Sequence, residues 1–184
     1  MRKLKITEMG RMNAEEFRAS KKMPLVVVLD DVRSMYNVGS VFRSADAFRV
    51  EAIYLCGITA QPPHPEIHKT ALGAEDTVSW LHFPTALEAV TALKEKGYIV
   101  YAIEQCEGSM PLQELPNMTD TLSQQGACGC AIILGNEVKG VHQEVVDASD
   151  GCIEIPQFGT KHSLNVSTTA GIVIWEFAQR LLIL

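Results

Sequence analysis

Short apolar runs rich in β-branched residues alternate along this chain with stretches whose apolar positions recur every three or four residues. LVVVLDD (25–31) opens the series as a buried parallel strand. Residues 37–48 then read as a helix, with Val38, Val41, Phe42, Ala45 and Phe48 on one face. EAIYLCG (51–57) is a second strand, TAQPPHP breaks the chain, and TVSWLHF (77–83) is a third strand. Residues 84–96 follow as a helix, with Pro84 near its start and Gly97 just past its end. YIVYAIE (98–104) gives a fourth strand, and residues 105–125 read as a long irregular segment. CAIILGNE (130–137) is a fifth strand, 141–148 a short helix and CIEIP (152–156) a last strand. Residues 165–182 form the closing helix. The alternation predicts an α/β domain, a mostly parallel sheet flanked by helices.

The closing helix is apolar nearly all round. Val166, Ala170, Val173, Ile174, Phe177 and Leu181 share one face, and Ile172, Trp175, Ala178 and Leu182 make most of another face apolar. Such a helix must be covered on both sides. At the end of a small domain the second cover is a second subunit, which predicts a homodimer through this helix.

Composition narrows the class. The 184 residues suffice for one domain with a full core. A hydrophobic content of 47% with 21% charged residues indicates a globular chain. No apolar run reaches membrane-span length, and the N-terminus has no apolar core of a secretory signal, so a cytoplasmic location is expected. Cys56, Cys106, Cys128, Cys130 and Cys152 are odd in number and lack metal-ligand spacing, which predicts reduced, buried thiols. The net charge of −6 excludes indiscriminate coating of nucleic acid, but the charge is uneven. Residues 1–22 hold seven Lys/Arg against Glu8, Glu15 and Glu16, a net of +4, leaving −10 on the remainder. A basic extension (1–22) on an acidic domain (23–184) suits contact with phosphate, or else a solvated surface helix.

Three stretches carry candidate chemistry. In DDVRSMYNVGSVFRSADAF a strand ends, a loop turns, and Asn37 is placed to cap the next helix. Arg33, Asn37 and Arg43 are then expected to converge near a helix N-terminus, at the carboxyl end of a strand where open α/β sheets bind ligands. In LGNEVKG, Gly135 lets backbone approach a flat ligand closely, followed by Asn136 and Glu137. In IPQFGTKHSLNVS a polar loop runs into the apolar closing helix at Ser163, Leu164 and Asn165; polar groups there need partners, whether helix N–H groups or a ligand. Competing chemistries are absent: there is no phosphate-binding P-loop, no G-x-G-x-x-G after a strand and no serine nucleophile elbow. His64 and His68 are four apart, but the Pro-Pro-His-Pro setting opposes a helix and a zinc site at His64. His82, His142 and His162 are read as surface or structural.

In order and spacing, N-x-G-S-x-x-R (37–43), L-G-N-E (134–137) and I-P-x-x-G-x-x-x-S-L-N-V-S (155–167) resemble the three motifs of the SpoU/TrmH family of RNA ribose 2′-O-methyltransferases. The resemblance covers roughly 25–182. It implies a SPOUT fold with a deep C-terminal trefoil knot, a homodimer, and S-adenosylmethionine as methyl donor to the ribose 2′-hydroxyl of a tRNA or rRNA. By motif position it implies Arg43, Asn37, Glu137, Ser163 and Asn165 as catalytic residues, and Leu134, Gly135, Asn136, Ile155, Ser163 and Leu164 around the donor. No metal is required, because the donor's sulfonium is already activated. The chain departs from the pattern at Val138-Lys139, where the family continues with Gly after Glu; Val resists positive φ, so a different turn is expected. The acidic body and short arm favour a compact target such as a tRNA loop. Two alternatives stand beside this reading: a non-catalytic RNA-binding module of the same fold, and a base-nitrogen RNA methyltransferase.

Overall fold

A computed structural model describes residues 1–182 of the chain, apart from the side chains of Ile6 and Leu182. One of its inner strands is β1 (Met23–Asp30), buried along nearly its whole length. Successive side chains of a strand point to opposite faces. Leu25, Val27 and Leu29 accordingly enter one core and Val26 and Val28 the other. Helices α2 (Met35–Ala47) and α7 (Val166–Leu182) cover the first face, helices α4 (Ala86–Glu95) and α6 (Gln143–Ala148) the second. Phe42 of α2 and Phe177 of α7 are fully buried. Each contributes about 1.5–3 kcal/mol by leaving water.

The sheet also contains β2 (Val50–Cys56), β3 (Ser79–Phe83), β4 (Tyr98–Ile103), β5 (Met110–Pro111), β6 (Gly129–Leu134) and β7 (Gly151–Glu154), in the order β3-β2-β1-β6-β4-β7-β5. All six pairings are parallel. The expected α/β architecture therefore holds, and the carboxyl ends of β1, β4, β6 and β7 gather along one edge.

Several local expectations change. The first long helix begins at Met35, not Asn37: Ser34 is the cap, its Oγ accepting the Asn37 N–H at 3.3 Å. Two helices went unread. Helix α3 (Pro65–Ala71) starts straight after the proline break, capped by His64, whose Nδ1 accepts the Glu66 N–H at 3.2 Å. Proline is well placed in a first turn, so the break is also a start signal. Helix α5 (Met118–Gln125) lies inside the stretch read as irregular; its sequence is polar and only Met118 is buried. In the basic arm, α1 (Ala14–Ala19) buries Phe17 in the main core, and the Arg18 guanidinium donates to the Asp76 carbonyl at 2.9 Å. Of the five thiols only Cys56 and Cys130 are buried; Cys106 and Cys152 are half-buried and Cys128 is exposed. Among the described residues, no helix is long and apolar enough to cross a membrane.

Candidate active site

The three candidate stretches are joined by one chain of hydrogen bonds through Glu137 and Asn37. Glu137 follows β6 on a loop and reaches back to the start of α2. It accepts the backbone N–H of Arg33 at 3.0 Å, that of Ser34 at 2.9 Å and the Asn37 side-chain amide at 3.0 Å. The Asn37 oxygen in turn accepts the Asn165 amide at 3.1 Å. Asn165 also caps α7: its Oδ1 accepts the Ser167 N–H at 2.9 Å and the Ser167 hydroxyl at 2.6 Å. The cap and ligand readings of this junction are thus compatible, since one end of Asn165 serves the helix and the other the polar chain. Burial acts to raise the Glu137 pKa, but the N–H donors from Arg33 and Ser34 and the Asn37 amide outweigh it, holding the carboxyl below its ordinary range. Glu137 is a carboxylate at neutral pH with three donors on its two oxygens.

Beside this junction an open cleft of about 1110 Å³ runs along the carboxyl ends of β4, β6 and β7. Leu134, Gly135, Asn136, Ile155, Ser163 and Leu164, the six residues expected around a donor, all line it. A Cβ on Gly135 would sit 2.1 Å from the Gly140 carbonyl carbon and the Val141 nitrogen, so only glycine lets the two arms of the 135–141 loop close on each other. The departure at Val138-Lys139 is absorbed without strain. The Asn136 Oδ1 accepts both their N–H groups, at 2.9 and 3.1 Å, and the positive φ of the turn falls on Gly140 at 70°.

Arg43 is placed differently. It lies on the exposed face of α2, outside the cleft, with no hydrogen bond or ion pair among the described residues. Among the described residues no hydrogen bond joins the side chains of Arg33, Asn37 and Arg43, which were expected to converge. Six helical residues turn Arg43 about 120° away from Asn37, and Arg33 contributes its backbone N–H.

Sequence reasoning missed the braces behind the cleft. The buried Asp30 ends β1 and accepts the His142 backbone N–H at 3.0 Å and its Nδ1 at 2.9 Å. The Asp31 carbonyl accepts the Asn136 amide at 2.7 Å. Glu104, just past β4, accepts the Val141 N–H at 3.1 Å, and the adjacent Gln105 amide donates to the His162 carbonyl at 2.7 Å. The Asp-Asp pair closing an apolar strand was the visible signal, since polar groups at that edge face ligand sites.

A parallel α/β sheet with a cleft at its carboxyl edge and a polar junction built from three loops defines a small-molecule or cofactor-binding domain of the doubly wound type. Residues 24–175 match the SpoU rRNA Methylase family, and the chain belongs to it. The tRNA (guanosine(18)-2′-O)-methyltransferase of Thermus thermophilus is 31% identical over 174 residues, spanning 95% of this chain and 84% of that one. The 23S rRNA (guanosine-2′-O-)-methyltransferase RlmB of Vibrio cholerae is 28% identical over 169 residues, spanning 92% and 64%. An AdoMet-bound rRNA methyltransferase from Sinorhizobium meliloti superposes with a TM-score of 0.75 at 25% identity, covering 89% of this chain and 59% of that one.

Proposed function

We propose that the protein transfers the methyl group of S-adenosylmethionine to a ribose 2′-hydroxyl of a tRNA or rRNA. One observation carries the reading: the three family motifs meet at Asn37, Glu137 and Asn165, directly beside a cleft lined by all six expected donor residues. Related proteins bear the matching activity in their names, and a solved relative holds the same donor.

The residues divide the work. Backbone at Gly135 and Leu134 and the side chains of Ile155 and Leu164 hold the adenosyl part, with Ser163 polar at the rim and the buried Asn136 bracing the loop beneath. The donor supplies an activated methyl, so no metal is needed and positioning contributes much of the rate. Glu137 is a fixed anchor that sets Asn37 and Asn165 in place. Arg43 clamps the phosphate of the target nucleotide and orients its hydroxyl; arginine stays protonated in proteins and makes a poor base.

The exposed Ile172 and Trp175 on α7 support a homodimer through this helix; of the other two residues counted on that face, Ala178 is buried in the chain's own core and Leu182 has its side chain outside the described residues. In such a dimer Arg43, turned away from its own cleft, serves the cleft of the neighbour. The position of β7 between β4 and β5, with the chain returning through 155–165, supports the deep trefoil knot. The basic arm adds phosphate contacts.

Calorimetry with S-adenosylmethionine, followed by mapping of ribose methylation in RNA from a deletion strain, tests the reading. Donor binding with one or more 2′-O-methyl positions lost in the deletion is expected. Donor binding with an unchanged methylation map would instead favour the non-catalytic RNA-binding module.

A further inference from the structure

The connection from β4 to β5 is short, residues 104–109, and it must cross β7, which lies between those two strands. At the crossing two thiols face each other. Cys106, on the crossover, and Cys152, second residue of β7, have their sulfurs 2.9 Å apart. Cys152 also points its thiol at the Glu104 carbonyl, 3.2 Å away. Both are half-buried, and Cys106 lines the cleft assigned to the donor. The neighbours of Cys106 hold that cleft together: Glu104 bonds the Val141 N–H and Gln105 the His162 carbonyl. Cys128, Cys56 and Cys130 have no thiol neighbour among the hydrogen-bonded contacts of the described residues.

We infer that Cys106 and Cys152 form a redox-modification site, an accessible dithiol that peroxide oxidises to a disulfide stapling the crossover to the strand beneath it. Cys106 is the attacking sulfur, because it faces the cleft. Burial, first, and the neighbouring Cys106 thiol push the Cys152 pKa up to about 12, so Cys152 remains protonated until it is needed. The Cys106 thiol gives up its proton to solvent and its sulfur attacks one peroxide oxygen. The O–O bond breaks, and Cys106 sulfenic acid and one water result. The Cys152 sulfur then attacks the sulfenic sulfur and loses its proton; the S–S bond forms and the second water leaves. Two electrons pass from the two thiols to one peroxide, and an exogenous dithiol reverses the change.

The consequence is mechanical. The cross-link closes the chain between residues 106 and 152 into a ring, which restricts the unfolded state. It also fixes the wall of the cleft carrying Glu104 and Gln105, so less ordering remains to be done when a ligand enters.

The test treats the full-length protein with a small excess of hydrogen peroxide, counts thiols, and identifies the cross-linked peptides by mass spectrometry. Loss of two of the five thiols is expected, as a Cys106–Cys152 peptide pair, together with a higher unfolding midpoint and several-fold tighter binding of S-adenosylmethionine. Dithiothreitol should restore the reduced values. Cys106→Ser and Cys152→Ser should each abolish the cross-link, and Cys128→Ser should leave it intact. Five thiols surviving peroxide, a Cys106 adduct that never links to Cys152, or an oxidised protein whose midpoint matches the reduced one would each overturn the inference. Only the affinity readout rests on the donor reading; thiol count and midpoint stand without it, so failure of the two readings can be told apart.

Discussion

The Glu137 junction and the loop at 157–164 adjoin each other yet are built on opposite terms. At the junction every strong polar group has a partner inside the chain: Glu137 holds three donors, and Asn37 and Asn165 bond to one another. In the loop all eight residues are exposed, Phe158 almost completely, and the Gln105 amide is its main anchor to the body of the domain. One part is preorganised and the other is adaptable. A carboxylate held by three donors from the start of α2 suits an anchor, and in the proposed reaction the chemistry of transfer is assigned to donor, acceptor and Arg43. In the proposed reaction the loop's exposed residues are available to donor, RNA or a second subunit.

The comparison can be broken in several places. The largest effect is expected at Arg43, which belongs to neither part of its own chain. Arg43→Ala should lower methyl transfer by about 10²- to 10³-fold, the scale for removing one preorganised charge-stabilising group, with donor affinity unchanged in calorimetry. Mixed with a donor-binding variant such as Gly135→Ala, it should regain activity as heterodimers form; failure to complement would place Arg43 in cis.

Gly135→Ala comes next. Its Cβ overlaps backbone at Gly140 and Val141, so the loop must shift at a cost of about 1–3 kcal/mol. A lowered midpoint in thermal unfolding and weakened donor binding should appear together.

Asn165→Ala removes a helix cap and a link in the polar chain. A loss of about 1 kcal/mol is expected for the cap, with a fall in kcat larger than any change in donor affinity. Equal effects on both would mean that Asn165 belongs to the loop.

The smallest effect is one of pH. Because the folded Glu137 pKa lies below its unfolded value, its contribution to stability is complete at neutral pH. It is lost as pH falls below about 4.3, the unfolded carboxyl value, and on through the lower folded one. The stability gap between wild type and Glu137→Gln, read by denaturant unfolding, should therefore narrow in acid. A constant gap from neutral pH to pH 3 contradicts the anchoring role.

Much of this was legible in the chain. The apolar run at 25–31 and the three-four spacing around Phe42 and Phe177 follow directly from burial on a sheet, and the motif residues fell where the cleft formed. Helix α5 was not legible because its sequence is polar and its single buried residue, Met118, shows no period. The turn of Arg43 away from Asn37 was itself legible, since six residues at 100° each separate the two by about 120° once both lie inside one helix. The bond between Asp30 and His142 joins residues 112 apart in sequence, which no local pattern reveals.

The central claim is that this cleft delivers a methyl group to a ribose hydroxyl. Its most direct test is incubation of the purified protein with total RNA and methyl-labelled S-adenosylmethionine, followed by alkaline hydrolysis. A methylated 2′-oxygen cannot attack the neighbouring phosphate, so label should be recovered in alkali-resistant dinucleotides and disappear in Arg43→Ala. Label released entirely as mononucleotides would identify base methylation, and no label in any RNA fraction would remove the enzymatic reading altogether.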